Sequence, residues 1–290
     1  NFNMVAVGLL YRYGYFRQVI TSGGVQVAHE DSQDLSRIPV VPVKDEAGNW
    51  IVNNMPEVRI IRNNAFHMTW NYHNKEPLKH NPYPHLMSEK WLDKNVIQNH
   101  GPLGAWYPQK NISEGDTPAF LSFVDNGLDA FKDYSNGGWG GRYQPVKGNY
   151  WRDATDDNNE RKTLWRWIPA VQNDFAARMD WCVHSYAKAN HPPVIDKVTA
   201  PGTIKPGQKI ELNATASDPD GDAVYYWWWH YPDPSGMNTD IKIIHETANN
   251  AHFIVPDPIE KDIHIILRVS DDGDPVLSTY KRLVFNGTAE

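Results

Sequence analysis

The pattern of apolar and polar positions changes character at residue 191. Before it, short apolar runs are interspersed with two segments of helical period. In the first, SEKWLDKNVIQNHG, Ser88 is a fit N-cap, Glu89 lies in the first turn, Leu92 and Val96 share a face, and Gly101 ends it. In the second, PAVQNDFAARMDWCVHSY, Pro169 opens a helix whose stripe is Val171, Phe175, Met179, Cys182, Val183 and Tyr186. Further forward, MVAVGLL has the makeup of a buried strand, and RIPVVPVKDEAGNWIV reads as two strands about a turn at Gly48-Asn49. Beyond residue 191 helical periodicity disappears. KIELNATAS, AVYYWWWHY, KIIHE, AHFIVP, DIHIILRVS and KRLVF predict six short strands, with DPDGD, DPSG and DDGD among the turns.

These patterns divide the chain into residues 1–55, 56–190 and 194–290, with His191-Pro192-Pro193 as a linker, because consecutive prolines interrupt both helix and sheet. The last stretch, about 100 residues of alternating strands, predicts an antiparallel β-sandwich of immunoglobulin type. Residues 194–286 are expected to separate from the rest at the double proline.

Composition narrows the functional classes. The net charge is -7 and no basic stripe is visible, which argues against nucleic acid and anionic membranes as partners. A lone cysteine, Cys182, excludes an internal disulfide and a cysteine-based metal site. No apolar window is long enough for a membrane-spanning helix. The chain starts at Asn1 with no signal-peptide pattern, as expected of a processed form or a fragment. Twelve tryptophans beside 14 tyrosines point to rings that stack on a ligand or fill a thick aromatic core.

The rings concentrate in YYWWWHY. On a strand, Val224, Tyr226, Trp228 and His230 share one face, and Tyr225, Trp227, Trp229 and Tyr231 share the other. The first set holds the small apolar residue and is assigned to the core. The second set then faces outward. It either buries against the preceding domain or forms a platform, its rings about 6.6 Å apart, on which an extended glucan could stack.

Other chemistry is sparse. DPDGD and DDGD read as polar hairpin turns, with a two-loop calcium site as the alternative, and they lack the Gly and Glu spacing of an EF-hand. DATDDNNE, with Asp153, Asp156, Asp157 and Glu160, reads as a solvated loop. The histidines never fall at a metal-ligand spacing. In EGDTPAFL, Glu114 and Asp116 flank a glycine at the mouth of an apolar run, where paired carboxylates could hold a metal or move a proton, or Asp116 could cap a local turn.

A resemblance organises these observations. SEKWLDKNVIQNHGPLGAWYP, EGDTPAFLSFVDNGL, GGWGGRY, LWRWIPAVQNDFAARMDW, NHPPV, SDPDGDAVYYWWWHYP and RVSDDGDPVLSTYKR resemble, in order, the nucleoside-hydrolase-like, cellulose-binding proteins of polysaccharide-degrading bacteria. The resemblance covers about residues 56–290. It implies an α/β domain, here partial and nucleoside-hydrolase-like, followed by an all-β immunoglobulin-like sandwich, in an extracytoplasmic protein whose partner is polysaccharide. The candidate carbohydrate-contacting rings are Tyr225, Trp227, Trp229, Tyr231 and, in the glycine-rich loop, Trp139. If the protein is an enzyme, a calcium-dependent glycosidic-bond hydrolase, Glu114 and Asp116 are the catalytic candidates and Asp116 a calcium ligand. The aspartate cluster that nucleoside hydrolases carry after their first strand has no counterpart here, since Asp31 and Asp34 sit in a polar loop. Binding without a required cofactor is therefore the expectation, with calcium as a possible ion.

Residues 2–50 differ. VAVGLLYRYGYFRQVI and LSRIPVVPVKDEAGN resemble a short segment of bacterial α-glucan phosphorylases, without the lysine that carries pyridoxal phosphate in that family. The juxtaposition implies a fusion, or an assembly error joining two reading frames, with an inactive fragment as the further alternative.

Overall fold

The computed structural model describes residues 60–62, 70–71, 76–77, 82–107, 121–122, 124–147 and 150–286. The strands expected in MVAVGLL and RIPVVPVKDEAGNWIV lie outside these residues.

In the N-terminal part, strand β1 (Ile60–Arg62) runs parallel to β5 (Tyr150–Asp153), which pairs antiparallel with β4 (Tyr143–Lys147). Strands β2 (Trp70–Asn71) and β3 (Glu76–Pro77) form a separate short pair. Among the described residues four α-helices accompany them: α1 (Glu89–Leu92), α2 (Gly101–Trp106), α3 (Lys162–Trp165) and α4 (Ile168–Trp181). The Ser88 hydroxyl caps α1 by accepting from the Trp91 N–H at 3.1 Å. The first amphipathic segment is not one helix, because α1 passes into a π-helical turn at Asp93–Ile97. Leu92 and Val96 nevertheless both reach the core, against Met87, Trp165, Ile168 and Met179.

Helix α4 has Pro169 in its first turn, as expected, but stops at Trp181. Its stripe ends there too. Val171 and Met179 are buried, while Cys182, Val183 and Tyr186 fall past the helix end and are exposed. The helical spacing assigned to those last three residues is thereby corrected.

The C-terminal part holds six strands: β6 (Val194–Thr199), β7 (Lys209–Ser217), β8 (Tyr225–His230), β9 (Asn250–Ile254), β10 (Ile263–Ser270) and β11 (Ser278–Phe285). They form two antiparallel three-stranded sheets, ordered β6-β7-β9 and β11-β10-β8. The alternation read in KIELNATAS is realised in β7, where Ile210, Leu212 and Ala214 point inward and Lys209, Glu211 and Asn213 outward. With Trp228, Phe253, Ile265 and Leu267 they build one core shared by both sheets. KIIHE is not a strand; it contributes only an isolated bridge from Ile244 to His252, beside His245 at a φ of 59°. Strand β6 takes its place in the count of six.

Strand β10 departs from simple alternation, being buried on both faces except at the half-buried Arg268. One face, with Ile263, Ile265, Leu267 and Val269, lies in the C-terminal core. On the other, Ile266 packs with Trp139, Trp167, Tyr231 and Tyr280, a cluster drawn from both parts of the chain. The outer edge of the sheet is covered as well. The Tyr280 N–H donates to Asn126 O at 2.9 Å and the Arg282 N–H to Gly127 O at 3.0 Å. Gly127 makes this approach possible: its φ is +88°, and a Cβ there would lie 1.8 Å from Tyr280 O.

Residues 190–193 act as a fixed connection rather than a loose linker. Asn190 Nδ2 donates to Asp271 Oδ2 at 3.1 Å and to Pro275 O at 2.8 Å, and Thr279 Oγ1 donates to Pro193 O at 2.6 Å. His191 stacks on Tyr186, with ring centres 3.7 Å apart, and its backbone N–H donates to Asp220 Oδ2 at 2.7 Å.

Trp228 is 1% exposed, and its Nε1 donates to Ala248 O at 3.0 Å. Trp228→Ala is expected to cost about 3–5 kcal/mol through the cavity it leaves. Urea unfolding of the two proteins measures it, and a cost below 1 kcal/mol would mean that the core does not depend on this ring.

Candidate functional site

The odd-numbered face of β8 divides between the two readings, its beginning open and its end buried against the N-terminal part. Tyr225 and Trp227 are exposed, at 58% and 41%. Trp229 is half-buried, tilted against Trp167 with ring centres 6.2 Å apart, and Tyr231 is completely buried. Trp139 is 3% exposed within the same cluster as Tyr231. Tyr231 and Trp139 therefore have no face to offer a sugar, and their assignment as carbohydrate contacts is corrected. The cause lies outside the strand: the N-terminal part packs over the end of β8 and leaves the beginning open.

At the open end the rings are held in place. Trp227 lies against Trp229 with ring centres 4.9 Å apart, and the Arg268 guanidinium sits 4.7 Å from the centre of the Trp227 ring. Arg268 comes from β10, directly opposite Trp227 in the strand pairing. A cross-strand cation and a neighbouring ring thus fix an indole that remains partly open to solvent.

The buried end of β8 rests on an ionic network that sequence reading missed. Asp156, read as part of a solvated loop, has no exposure at all. Its Oδ1 accepts from Arg142 Nε at 2.8 Å. Its Oδ2 accepts from the Tyr231 hydroxyl and from Arg166 Nη2, both at 2.8 Å. Arg166 also lies 4.2 Å from the Tyr231 ring centre and 3.4 Å from Asp233. Burial is the main cause that raises the Tyr231 phenol well above its ordinary range, so it stays a neutral donor. Nothing in DATDDNNE marks Asp156 from its neighbours; the available signal was the pair of arginines, Arg142 and Arg166, set in otherwise apolar and glycine-rich surroundings.

Next to it, the Arg282 guanidinium is buried without a carboxylate contact among the described hydrogen bonds. Nε donates to Leu128 O at 2.7 Å, Nη2 to Asn136 O and Gly137 O at 2.9 Å each, and Nη1 to His264 Nδ1 at 3.0 Å. Burial, then the neighbouring Arg282, push His264 down to about 4.

The acidic turns form a third feature. Carboxylate oxygens of Asp218, Asp220 and Asp222 lie within 4.8 Å of one another. Asp218 Oδ1 accepts from the backbone N–H of Asp220 and of Asp222, at 2.8 and 3.2 Å, and Asp272 Oδ1 accepts from Ala223 N–H at 2.9 Å. These bonds are those of tight polar turns. Glu114 and Asp116, the catalytic and calcium candidates, lie outside the described residues.

Comparison with known proteins fits this architecture. Residues 26–143 match the nucleoside hydrolase-like domain of cellulose-binding Sde182, and residues 209–287 match the C-terminal domain of cellulose-binding protein Sde0182. Among solved structures, a nucleoside hydrolase-related hypothetical protein from Saccharophagus degradans, associated with carbohydrate metabolism, is 32% identical with a TM-score of 0.63. The match covers 81% of this chain and 58% of that one, so the chain spans little more than half the length of its relative. A protocadherin gammaB7 structure reaches a TM-score of only 0.20 at 14% identity, over 33% of this chain and 24% of its own, and carries no argument. No curated protein matches the chain.

The class is thus a nucleoside-hydrolase-like region followed by a C-terminal region of antiparallel sheets. The two family matches follow one another in chain order, each to a domain of a protein described as cellulose-binding, the first of them nucleoside hydrolase-like. The first match begins at residue 26, ahead of the boundary drawn at residue 56. Residues 26–50, grouped with the phosphorylase-like strip in the sequence, therefore fall within the nucleoside hydrolase-like match.

Two outcomes test the network beneath β8. Asp156→Asn leaves two guanidiniums without their shared anion and is expected to destabilise by about 3–5 kcal/mol, against about 1–2 kcal/mol for Tyr231→Phe. Equal costs in denaturant unfolding would show that the carboxylate is not the centre of the network. His264 has a sign that can be worked out. Its folded pKa, about 4, lies below the ordinary value of 6.5. Between these values the unfolded chain takes up a proton that the folded chain refuses, so stability falls as pH drops through that window, by about 3 kcal/mol in total. His264→Gln should remove this part of the slope, and an unchanged pH profile would refute the assignment.

Proposed function

We propose that the protein binds an extended plant-type polysaccharide, such as cellulose, through the open end of β8. The observation that carries this reading is the exposure of Tyr225 and Trp227, two residues apart on one strand face. Their spacing along the strand is roughly 6.6 Å, and flat apolar rings pack well against the C–H faces of sugars. Exposed rings fixed by neighbours lose little freedom on binding. The cellulose-binding descriptions of both matching domains and the relative's association with carbohydrate metabolism support the same reading. In this proposal the two C-terminal sheets, with their shared core, form a sandwich of immunoglobulin type that presents the rings. The protein works outside the cytoplasm, where its polymer is. The alternative, a calcium-dependent hydrolase built on Glu114 and Asp116, rests on residues outside those described.

Trp227→Ala tests the proposal. It should leave the thermal midpoint nearly unchanged and weaken retention on insoluble cellulose by about 1–3 kcal/mol, by analogy with the loss of a stacked base. Full retention by a folded Trp227→Ala protein would refute the platform.

A further inference from the structure

A groove of about 860 Å³ opens where the two parts of the chain meet, beyond the other end of β8. One wall comes from the segment Pro232–Asp240 that follows the strand, and the other from residues 143–145 with Thr155, Asp157 and Asn158 of the N-terminal part. Trp227 is three residues back from the strand's end at His230, roughly 10 Å by strand rise, and does not line the groove.

The groove is built rather than incidental. The Asp156 network forms its base, with Arg142 and Arg166 turned inward to their carboxylates. Asp233 ties the walls together: Oδ1 accepts from Asp157 N–H at 3.2 Å, and Oδ2 meets Arg166 at 3.4 Å. The wall segment is stiffened by Pro232 and Pro234 and turned by Gly236 at a φ of 66°. Small-molecule sites are commonly preformed, lie between domains, and have volumes of about 300–1,000 Å³.

Its chemistry selects the ligand. Both guanidiniums of the groove are already paired, and Asp157, Asp233 and Asp240 on its walls face Lys162, Arg166 and His230, so with Asp156 four carboxylates stand against three cations and an anionic ligand finds no unpaired cation among the described lining residues. Thr155 and Asn158 on one wall, and Ser235 and Asn238 on the other, each offer donors and acceptors. Pro232, Pro234 and Met237 supply small apolar surfaces among them. A neutral compound with many hydroxyls and apolar C–H faces fits this lining, whereas a purely apolar compound would leave the polar groups unpaired.

We propose that the groove is a second glycan site, taking a soluble neutral oligosaccharide, separate from the ring platform that holds the insoluble polymer. The ligand class rests on the carbohydrate reading above; the location rests on the groove alone.

Titration calorimetry with a neutral cello-oligosaccharide and with an oligogalacturonate of the same length tests this on the full chain. Two groove variants are used: Thr155→Ala combined with Asn238→Ala, both at exposed positions, and Ser235→Trp, which fills the space. Wild type and Trp227→Ala should bind the neutral sugar alike and more tightly than the uronate. The double variant should weaken that binding by about tenfold or more, as expected when hydrogen-bonding groups are lost from both walls. Ser235→Trp should abolish it, and neither change should alter retention on insoluble cellulose. If Ser235→Trp does not fold, the double variant decides. Unchanged affinity in the double variant, no neutral-sugar binding by wild type, or preference for the uronate would each overturn the proposal. Loss of cellulose retention in Trp227→Ala remains a separate readout, so the platform can stand when the groove fails, and the reverse.

Discussion

A guanidinium can be removed from water only if its donors are met, and Arg282 is where this structure meets that requirement. Three backbone carbonyls, Leu128 O, Asn136 O and Gly137 O, converge on it from one loop of the N-terminal part. Those carbonyls are correctly placed only while the loop stays folded against β11. The loop therefore carries glycines where it must come close. Gly137 is one, since a Cβ there would sit 2.9 Å from the Tyr231 hydroxyl. The burial of Trp139, the second buried face of β10 and the coverage of the sheet edge at Gly127 belong to the same docking. Burial pulls Arg282 down to about 10, which leaves it charged at neutral pH. The joint is thus polar at its centre and apolar around it, and its directional bonds fix one mutual orientation.

Much of the C-terminal part was legible because its strands obey a local rule. In KIELNATAS the face that meets the core is written in alternation, and the structure follows it residue by residue. IHIILRVS breaks the rule by having apolar residues at consecutive positions, which is the mark of a strand covered on both sides. That signal lies in the sequence, though the segment was grouped there with the simply alternating strands. KIIHE misled because composition alone does not hold a strand; His245 adopts a left-handed φ of 59° and the ladder ends. In α4 the stripe was read past Trp181, since periodicity does not reveal where packing stops.

The acidic loop shows where local reading has no access. Asp153, Asp156 and Asp157 are chemically alike, yet Asp156 is wholly buried and Asp157 is exposed beside Lys162. What separates them is the arrival of Arg142, Arg166 and Tyr231 from distant points in the chain. A buried carboxylate is costly unless such partners converge, so its placement is a property of the tertiary structure. The same holds for the ring face of β8. Alternation identified which side chains share a face, but not that another part of the chain would cover half of it.

That division gives β8 two roles. At one end Tyr231 is committed to the joint; at the other Tyr225 and Trp227 are exposed. Trp229 lies between, touching Trp167 of the joint and Trp227 of the open end. The exposed indole is thereby backed by a continuous row of rings down to the Asp156 network. An isolated aromatic on a loop would have to be ordered by its ligand, at a cost set against affinity. Here the ordering is done by folding, because the neighbours that restrain Trp227 are themselves fixed in a core. A rigid, flat and partly hydrophobic surface is what a rigid polymer can meet without either side rearranging. The buried joint, although it touches no ligand, is in this sense what makes the open end of β8 suited to one.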